Sequence, residues 1–297
     1  MSKSEATFPT FETVLYDEPR PAIARVTLNR PAKRNAQNMQ MTYDINSAFD
    51  FALRQPHIKM IMLAAVGEHF SSGHDLSGDD GKTWRDYPVV GTWTNFDKPG
   101  AEGLYAREME IYLEMTERWR NLSKPIIAAV QGKCITGGLM LAWCADFVIA
   151  SDDAKFICTS TKMGGSGVEF WAYPWEIGPR RAKLWMLSGE LSAQKAEQYG
   201  MVNEVVPRAE LEKYTLDLAE RLCVHTSWTL NMTKATVNTA QDAQGRRLSM
   251  QHAFAVHQLG HAHRVLVHGA TVDPNTLPDN IRKGFEKRPK RTGAAAE

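Results

Sequence analysis

The sequence predicts an α/β fold, a core of alternating strands and helices followed by a helical extension. Three observations carry this reading. Short apolar runs of buried-strand type recur in the first part of the chain. Stretches with apolar residues at helical spacing separate them, and from about residue 179 helical spacing takes over.

The elements follow in order. Residues 11–16 and 22–28 show β-type alternation, broken by Asp-Glu-Pro-Arg-Pro, and read as a hairpin. Residues 39–53 read as a helix, and 59–66 (KMIMLAAV) as a short buried strand. Residues 67–100 are rich in Gly, Asp, Trp and Pro with no sustained period, as in a lid or binding loop. Residues 101–121 are helical, and 125–130 (PIIAAV) form another buried strand. A short helix follows Gly137, then a strand at 146–150 and an extended piece at 154–158. Helices are expected over 180–187, 192–199, 209–224, 227–241 and 247–267, with Ser192 as an N-cap and Gly200 as a C-cap. The tail, 280–297, holds a basic run at 283–291 that fits a solvated end or a polyanion contact. The expected division is a core at 10–207 and a C-terminal helical region at 208–297.

Composition excludes little but guides the rest. The 297 residues are 43% hydrophobic and 23% charged, and a net charge of +1 gives no overall attraction to nucleic acid or membrane. Cys134, Cys144, Cys158 and Cys223 lack metal-type spacing and suit free thiols in a reducing compartment. The N-terminus has no apolar core of signal-peptide type, and no apolar run is long enough to span a bilayer. A soluble cytoplasmic protein is expected.

Two segments share one pattern: apolar strand, small-residue turn, helix. In the first the turn is Ser71-Ser72-Gly73-His74-Asp75; in the second it is Thr136-Gly137-Gly138. Each can leave backbone N–H groups unpaired at a helix start, where the dipole favours negative charge. One from each turn, converging, would form a two-donor oxyanion hole. Two tight turns packed closely are the alternative.

The stretches "VTLNRPAKRNAQN", "HFSSGHDL", "KPIIAAVQGKCITGGLMLAWCADFVIASDDAKF" and "LSGELSAQKAEQYGMVNEVVP" resemble, in order, the segments of the crotonase superfamily, also called enoyl-CoA hydratase/isomerase. "IRKGFEKRPK" is similar to its usual C-terminal end. The resemblance implies a crotonase (ClpP/crotonase-like) spiral of repeated ββα units, with C-terminal helices that assemble trimers or hexamers. It implies an acyl-CoA thioester substrate whose carbonyl oxygen is held by the backbone N–H groups of His74 and Gly137. Coenzyme A enters only as part of the substrate, and no metal or separate cofactor is needed. The resemblance places CoA near Lys33, Arg34 and Ser72, although Lys33 and Arg34 equally suit solvated turn residues, and makes Gly138 and Met140 further substrate-binding candidates.

Hydratases of this family carry two glutamates, three residues after the oxyanion glycine and twenty further on. Here those positions hold Met140 and Ser160. Methionine cannot move a proton, and serine at its free pKa is a poor base. Glu169, in "GGSGVEFWAY", is the candidate acid/base, and Val168, Phe170 and Trp171 would desolvate it and raise its pKa. Ser160 could hydrogen-bond a water or substrate, or serve the structure. Glu110 and Glu114 lie one helical turn apart and suit either a pocket or a solvated face. His257 and His261 have i, i+4 spacing that could bind a metal, but no third ligand is marked, so they are assigned to the core or an interface.

Trp84, Trp93, Phe96, Trp171 and Trp175 fall in the loops expected around the acyl end and would suit a bulky or ring-containing acyl group; core packing is the alternative. The expected function is an enoyl-CoA hydratase-type lyase. Double-bond isomerisation, C–C cleavage of a cyclic oxoacyl-CoA, thioester hydrolysis and a non-catalytic acyl-CoA-binding subunit are the alternatives.

Overall fold

A computed structural model describes residues 8–76, 82–277, 279 and 282. The basic run at 283–291 and nearly all of the "IRKGFEKRPK" match lie outside the described residues.

The strands are β1 (Val14–Arg20), β2 (Ile23–Leu28), β3 (Met60–Ala65), β4 (Ile126–Val130), β5 (Lys133–Ile135), β6 (Phe147–Ser151), β7 (Lys155–Ile157), β8 (Glu190–Ser192) and β9 (Glu204–Val206). One sheet has the order β1-β2-β3-β4-β6-β9, antiparallel at β1-β2 and parallel elsewhere. A second, smaller sheet has the order β5-β7-β8. The first hairpin is longer than expected: β1 runs through Pro19. Proline is tolerated there because β1 is an edge strand and its register shifts between Asp17 and Arg20.

The apolar runs have a simple cause. In β3, Ile61 and Leu63 enter one core while Met60 and Met62 enter the other. In β4, Ile126, Ala128 and Val130 face the first core, and Ile127 and Ala129 the second. A strand covered on both faces has no polar side to alternate with.

The helices are α1 (Met39–Arg54), α2 (Gly100–Glu108), α3 (Met115–Arg120), α4 (Gly137–Trp143), α5 (Tyr173–Ile177), α6 (Pro179–Ser188), α7 (Ala193–Tyr199), α8 (Leu211–Leu222), α9 (Ser227–Ala243) and α10 (Arg246–His268). Between α2 and α3 the chain is a π-helix, Met109–Glu114, so the expected single helix over 101–121 changes phase in its middle. Ser192 caps α7 by accepting from Lys195 N–H, and Gly200 ends it in the left-handed conformation. Both ends were legible in the sequence. Helix α8 covers the second core through Leu211, Leu216 and Ala219.

Strands β3 and β4 are neighbours and parallel, so the segments leaving their C-terminal ends emerge side by side. Those segments are the two small-residue turns, in the position where ligands bind in parallel sheets.

Candidate active site

The first turn is aimed by its own hydrogen bonds. Gln37 N–H donates to Gly73 O at 2.8 Å, and Asp75 N–H donates to Gln37 O at 2.8 Å. The peptide joining Gly73 to His74 is trans, so its N–H points opposite to its carbonyl. His74 N–H therefore faces away from Gln37, on the side where residues 135–137 lie. Gly73 packs closely there: a β-carbon on it would sit 2.7 Å from Ile135 O and 3.2 Å from Gly137 N. Its φ of 89° also favours glycine.

The facing strand comes apart at the same level. Ile135 N–H still donates to Ser71 O at 2.9 Å, but Thr136 N–H turns to Ile157 O at 2.8 Å. Thr136 has φ 46° and ψ −99°, strained for a β-branched residue by roughly 1–3 kcal/mol. Its hydroxyl is pinned by Thr159, with Oγ1 to Oγ1 at 2.6 Å and Thr159 N–H donating at 3.1 Å. Gly137 then opens α4, and its N–H has no intrahelical acceptor. Among the described residues, neither the His74 nor the Gly137 amide finds a backbone acceptor in a turn, loop or cap. The two corners are adjacent, since a β-carbon on Gly137 would lie 2.6 Å from Cε1 and Nδ1 of His74.

The imidazole of His74 lies at the same corner. Its Nε2 lies 3.1 Å from Glu169 Oε2, and its ring packs on Tyr112 with centroids 3.9 Å apart. A carboxylate only accepts, so Nε2 carries the proton and Nδ1 keeps its lone pair. Nδ1 is buried and has no partner among the described residues. An imidazole fixed this way by a buried carboxylate is the arrangement of a general base.

Glu169 is 3% exposed, between the buried Val168 and Phe170. Burial alone would raise its carboxyl, as the sequence led one to expect, but the neighbouring His74 and His257 rings outweigh it. They hold Glu169 well below the usual carboxylate range, so it stays anionic. His257 is disfavoured as a cation by burial, yet Glu169 and Glu108 more than offset this and raise it above its ordinary value. The Tyr112 phenol is held up by burial and by the charges of Glu169, Glu108 and Asp75.

Other expected residues divide. Ser72 N–H donates to Arg34 O at 2.9 Å and its hydroxyl to Lys33 O at 3.3 Å, so the exposed Lys33 and Arg34 stand at the mouth of the first turn. Gly138 packs on Ser71, where a β-carbon would be 3.0 Å from Ser71 Cβ and O. Met140 is fully buried in the first core. Ser160 is buried with its hydroxyl 3.3 Å from Cys158 Sγ. Glu110 and Glu114 hold the long loop: Glu110 accepts from Val90 and Gly91 N–H at 2.6 and 2.7 Å, and Glu114 accepts from Thr92 N–H at 2.7 Å.

The tryptophans have separate partners. Trp84 packs edge-on to Phe96, Trp93 against Tyr105, and Trp171 against Tyr173. Trp175 Nε1–H donates to Ser249 Oγ at 2.9 Å, which ties α5 to α10. A cavity of about 920 Å³ is lined by Trp93, Tyr105, Met109, Leu113 and Met250 among others, but not by His74, Gly137 or Glu169.

Sequence reasoning missed Tyr112 and Glu108. Glu108 Oε2 lies 3.4 Å from His261 Nε2 and 3.7 Å from His257 Nε2, and Glu169 Oε1 lies 3.3 Å from His257 Nε2. The two histidines thus share a buried pocket with two carboxylates.

The sequence pattern of the enoyl-CoA hydratase/isomerase family matches residues 18–98 and 98–265. The chain belongs to this family. It is 36% identical to the provisionally named enoyl-CoA hydratase EchA13 of Mycobacterium tuberculosis, over 94% of this chain and 93% of that protein. It is 32% identical to the mevalonyl-coenzyme A hydratase sidH of Aspergillus fumigatus, over 71% of this chain and 73% of that one. A crystal structure of a probable enoyl-CoA hydratase from Mycobacterium smegmatis superposes with a TM-score of 0.78 at 39% identity, covering 88% of this chain and 98% of that one. An enoyl-CoA hydratase/isomerase from Xanthobacter autotrophicus Py2 gives 0.74 at 26% identity, covering 96% of this chain and 100% of that one. The fold is the crotonase fold, and the chain is an enzyme with an acyl-CoA hydratase/isomerase function. No helix among the described residues is long and apolar enough to cross a membrane.

Proposed function

We propose that this enzyme hydrates a 2-enoyl-CoA, with the His74–Glu169 dyad moving the protons that two glutamates move in other hydratases of the family. The observation that carries the reading is the position of the His74 ring, with Glu169 on Nε2 and Gly137 beside the unpartnered Nδ1. In this scheme Nδ1 takes a proton from water as the water oxygen bonds to C3. The double-bond electrons move onto the thioester oxygen, where the His74 and Gly137 amides stabilise the enolate. The imidazolium then returns a proton to C2, and coenzyme A stays attached throughout. Lys33 and Arg34 would meet the CoA phosphates at the mouth.

Double-bond isomerisation is the second reading. Met140 and Ser160 supply no carboxylate where hydratases carry two, and the one base proposed at His74 suffices to take a proton from one carbon and return it to another. A panel of acyl-CoAs followed by mass spectrometry separates the two: a gain of one water with CoA retained means hydration, whereas moved unsaturation at constant mass means isomerisation. His74→Ala is the decisive variant because it removes the base and leaves the residue-74 amide in the chain. Turnover should fall about 10²-fold or more while CoA affinity holds. Undiminished turnover would refute the dyad.

Assembly as a homotrimer or hexamer is supported by apolar side chains left exposed on α9 and α10, among them Trp228, Val237, Leu259 and Leu266. Light scattering with size exclusion measures it. Three buried free thiols and a half-buried fourth fit a reducing cytoplasm.

A further inference from the structure

The geometry points to a divalent transition-metal site, most suited to zinc, formed by Glu108, Glu169, His257 and His261. Three parts of the chain converge on it: the C-terminal end of α2, the loop before α5, and one face of α10. One ligand atom from each of the four residues lies within 4.8 Å of all the others.

Three features distinguish this pocket from an ordinary ion-pair cluster. First, Nε2 of His257 and Nε2 of His261 are both buried and without a hydrogen-bond partner among the described residues, although carboxylate oxygens stand nearby. The two rings are only 8% and 7% exposed, and their unpartnered atoms point into the same space.

Second, the opposite nitrogen of each ring is engaged. His257 Nδ1 lies 3.1 Å from Gly167 O, and His261 Nδ1 lies 2.9 Å from Thr271 O. For His257 the carbonyl partner requires the proton on Nδ1, which leaves its Nε2 lone pair free for a cation. His261 Nδ1 is shared between Thr271 O, which also accepts from Arg264 Nε at 2.6 Å, and Arg264 Nη2 at 3.1 Å, which only donates, so His261 offers Nε2 to a cation when its proton lies on Nδ1 toward Thr271.

Third, three of the six spacings among the ligand atoms are close to those of a bound set. Contacts of 3.3, 3.4 and 3.7 Å join the carboxylate oxygens to the Nε2 atoms. A tetrahedron of ligands about 2.0–2.1 Å from zinc has edges of about 3.3–3.4 Å.

With the imidazoles neutral, two carboxylates set against the nearby Arg264 guanidinium leave a net negative pocket that attracts a cation. Two nitrogens and two oxygens suit zinc and neighbouring divalent metals rather than calcium or magnesium. Gln258 Nε2–H donates to Glu108 Oε2 at 2.5 Å and orients that ligand. Glu169 would present Oε1 to the cation and keep Oε2 on His74, so the site also stiffens the carboxylate behind the base.

The test uses tag-free full-length protein, stripped with a chelator and titrated with zinc alone by calorimetry, then with cobalt(II) alone by visible absorption. Expected are about one zinc per chain, a higher melting temperature with zinc, and the intense ligand-field bands of four-coordinate cobalt. Glu108→Gln and His261→Gln should each weaken binding about tenfold or more. Affinity should also fall with pH as protons compete for the ligands. No zinc uptake by the stripped wild-type protein, a weak six-coordinate cobalt spectrum, or unchanged uptake by the His257→Gln/His261→Gln double variant would overturn the site. If a variant fails to fold, the wild-type cobalt spectrum decides alone. None of these readouts uses turnover, so their failure leaves the hydration proposal standing.

Discussion

His74 Nε2 and Glu169 Oε2 meet at 3.1 Å although 95 residues separate them in the chain. That contact joins the turn after β3 to the loop before α5 and couples an imidazole to a buried carboxylate. Glu169→Gln keeps the shape and removes the charge that stabilises an imidazolium. The expected result is a kcat loss of about 10²-fold with KM little changed. A mainly raised KM would assign Glu169 to binding instead.

Gly137→Ala adds a β-carbon 2.6 Å from two atoms of the His74 ring. Either the ring or the start of α4 must move, so base and amide cannot both keep their places. Loss of one oxyanion donor costs about 2.7–4 kcal/mol, or roughly 10²–10³ in kcat. Steady-state kinetics with a direct CoA-binding measurement should show that loss with binding largely retained.

Glu110 ties down the loop before α2, because its carboxylate accepts both the Val90 and the Gly91 N–H. Glu110→Ala leaves two amides without their acceptor, at about 1–3 kcal/mol for each one that stays buried. Limited proteolysis should cut residues 87–98 faster in the variant, while α10 stays resistant.

Glu176, on α5, gives a stability prediction with a defined pH window. Burial pushes its carboxyl up to about 7, with Arg120 and Arg246 working against the rise. An acid raised on folding favours the native state fully below its unfolded pKa, about 4.3, and that contribution is lost as pH rises through about 7. Glu176→Gln cannot ionise. Its melting temperature relative to wild type should therefore improve by about 2 °C or more between pH 5 and pH 8 in matched thermal scans. A difference independent of pH would contradict the assignment.

Much of the fold was legible because its signals are local. Double-sided burial makes β3 and β4 continuous apolar runs, and the caps of α7 are written in Ser192 and Gly200. Strands β5, β8 and β9 have three residues each, too short for alternation to register. The two turns at the ends of β3 and β5 were readable from their small residues. What the sequence hid is what depends on phase or distance. The π-helix at Met109–Glu114 breaks the 3.6-residue period, and Glu108 and Tyr112 reach the site while Glu110 and Glu114 hold the loop. Glu169 has apolar neighbours in sequence, which suggested a raised pKa, but the histidines that reverse it come from the first turn and from α10.

The trans peptide between Gly73 and His74 has a further consequence. Its N–H is aimed by main-chain bonds to residue 37, so the proposed grip on a thioester oxygen does not depend on which side chain residue 74 bears. Grip and reagent are separately inherited at a single position. A lineage could replace the imidazole, and with it the reaction, without rebuilding the cradle that holds the thioester.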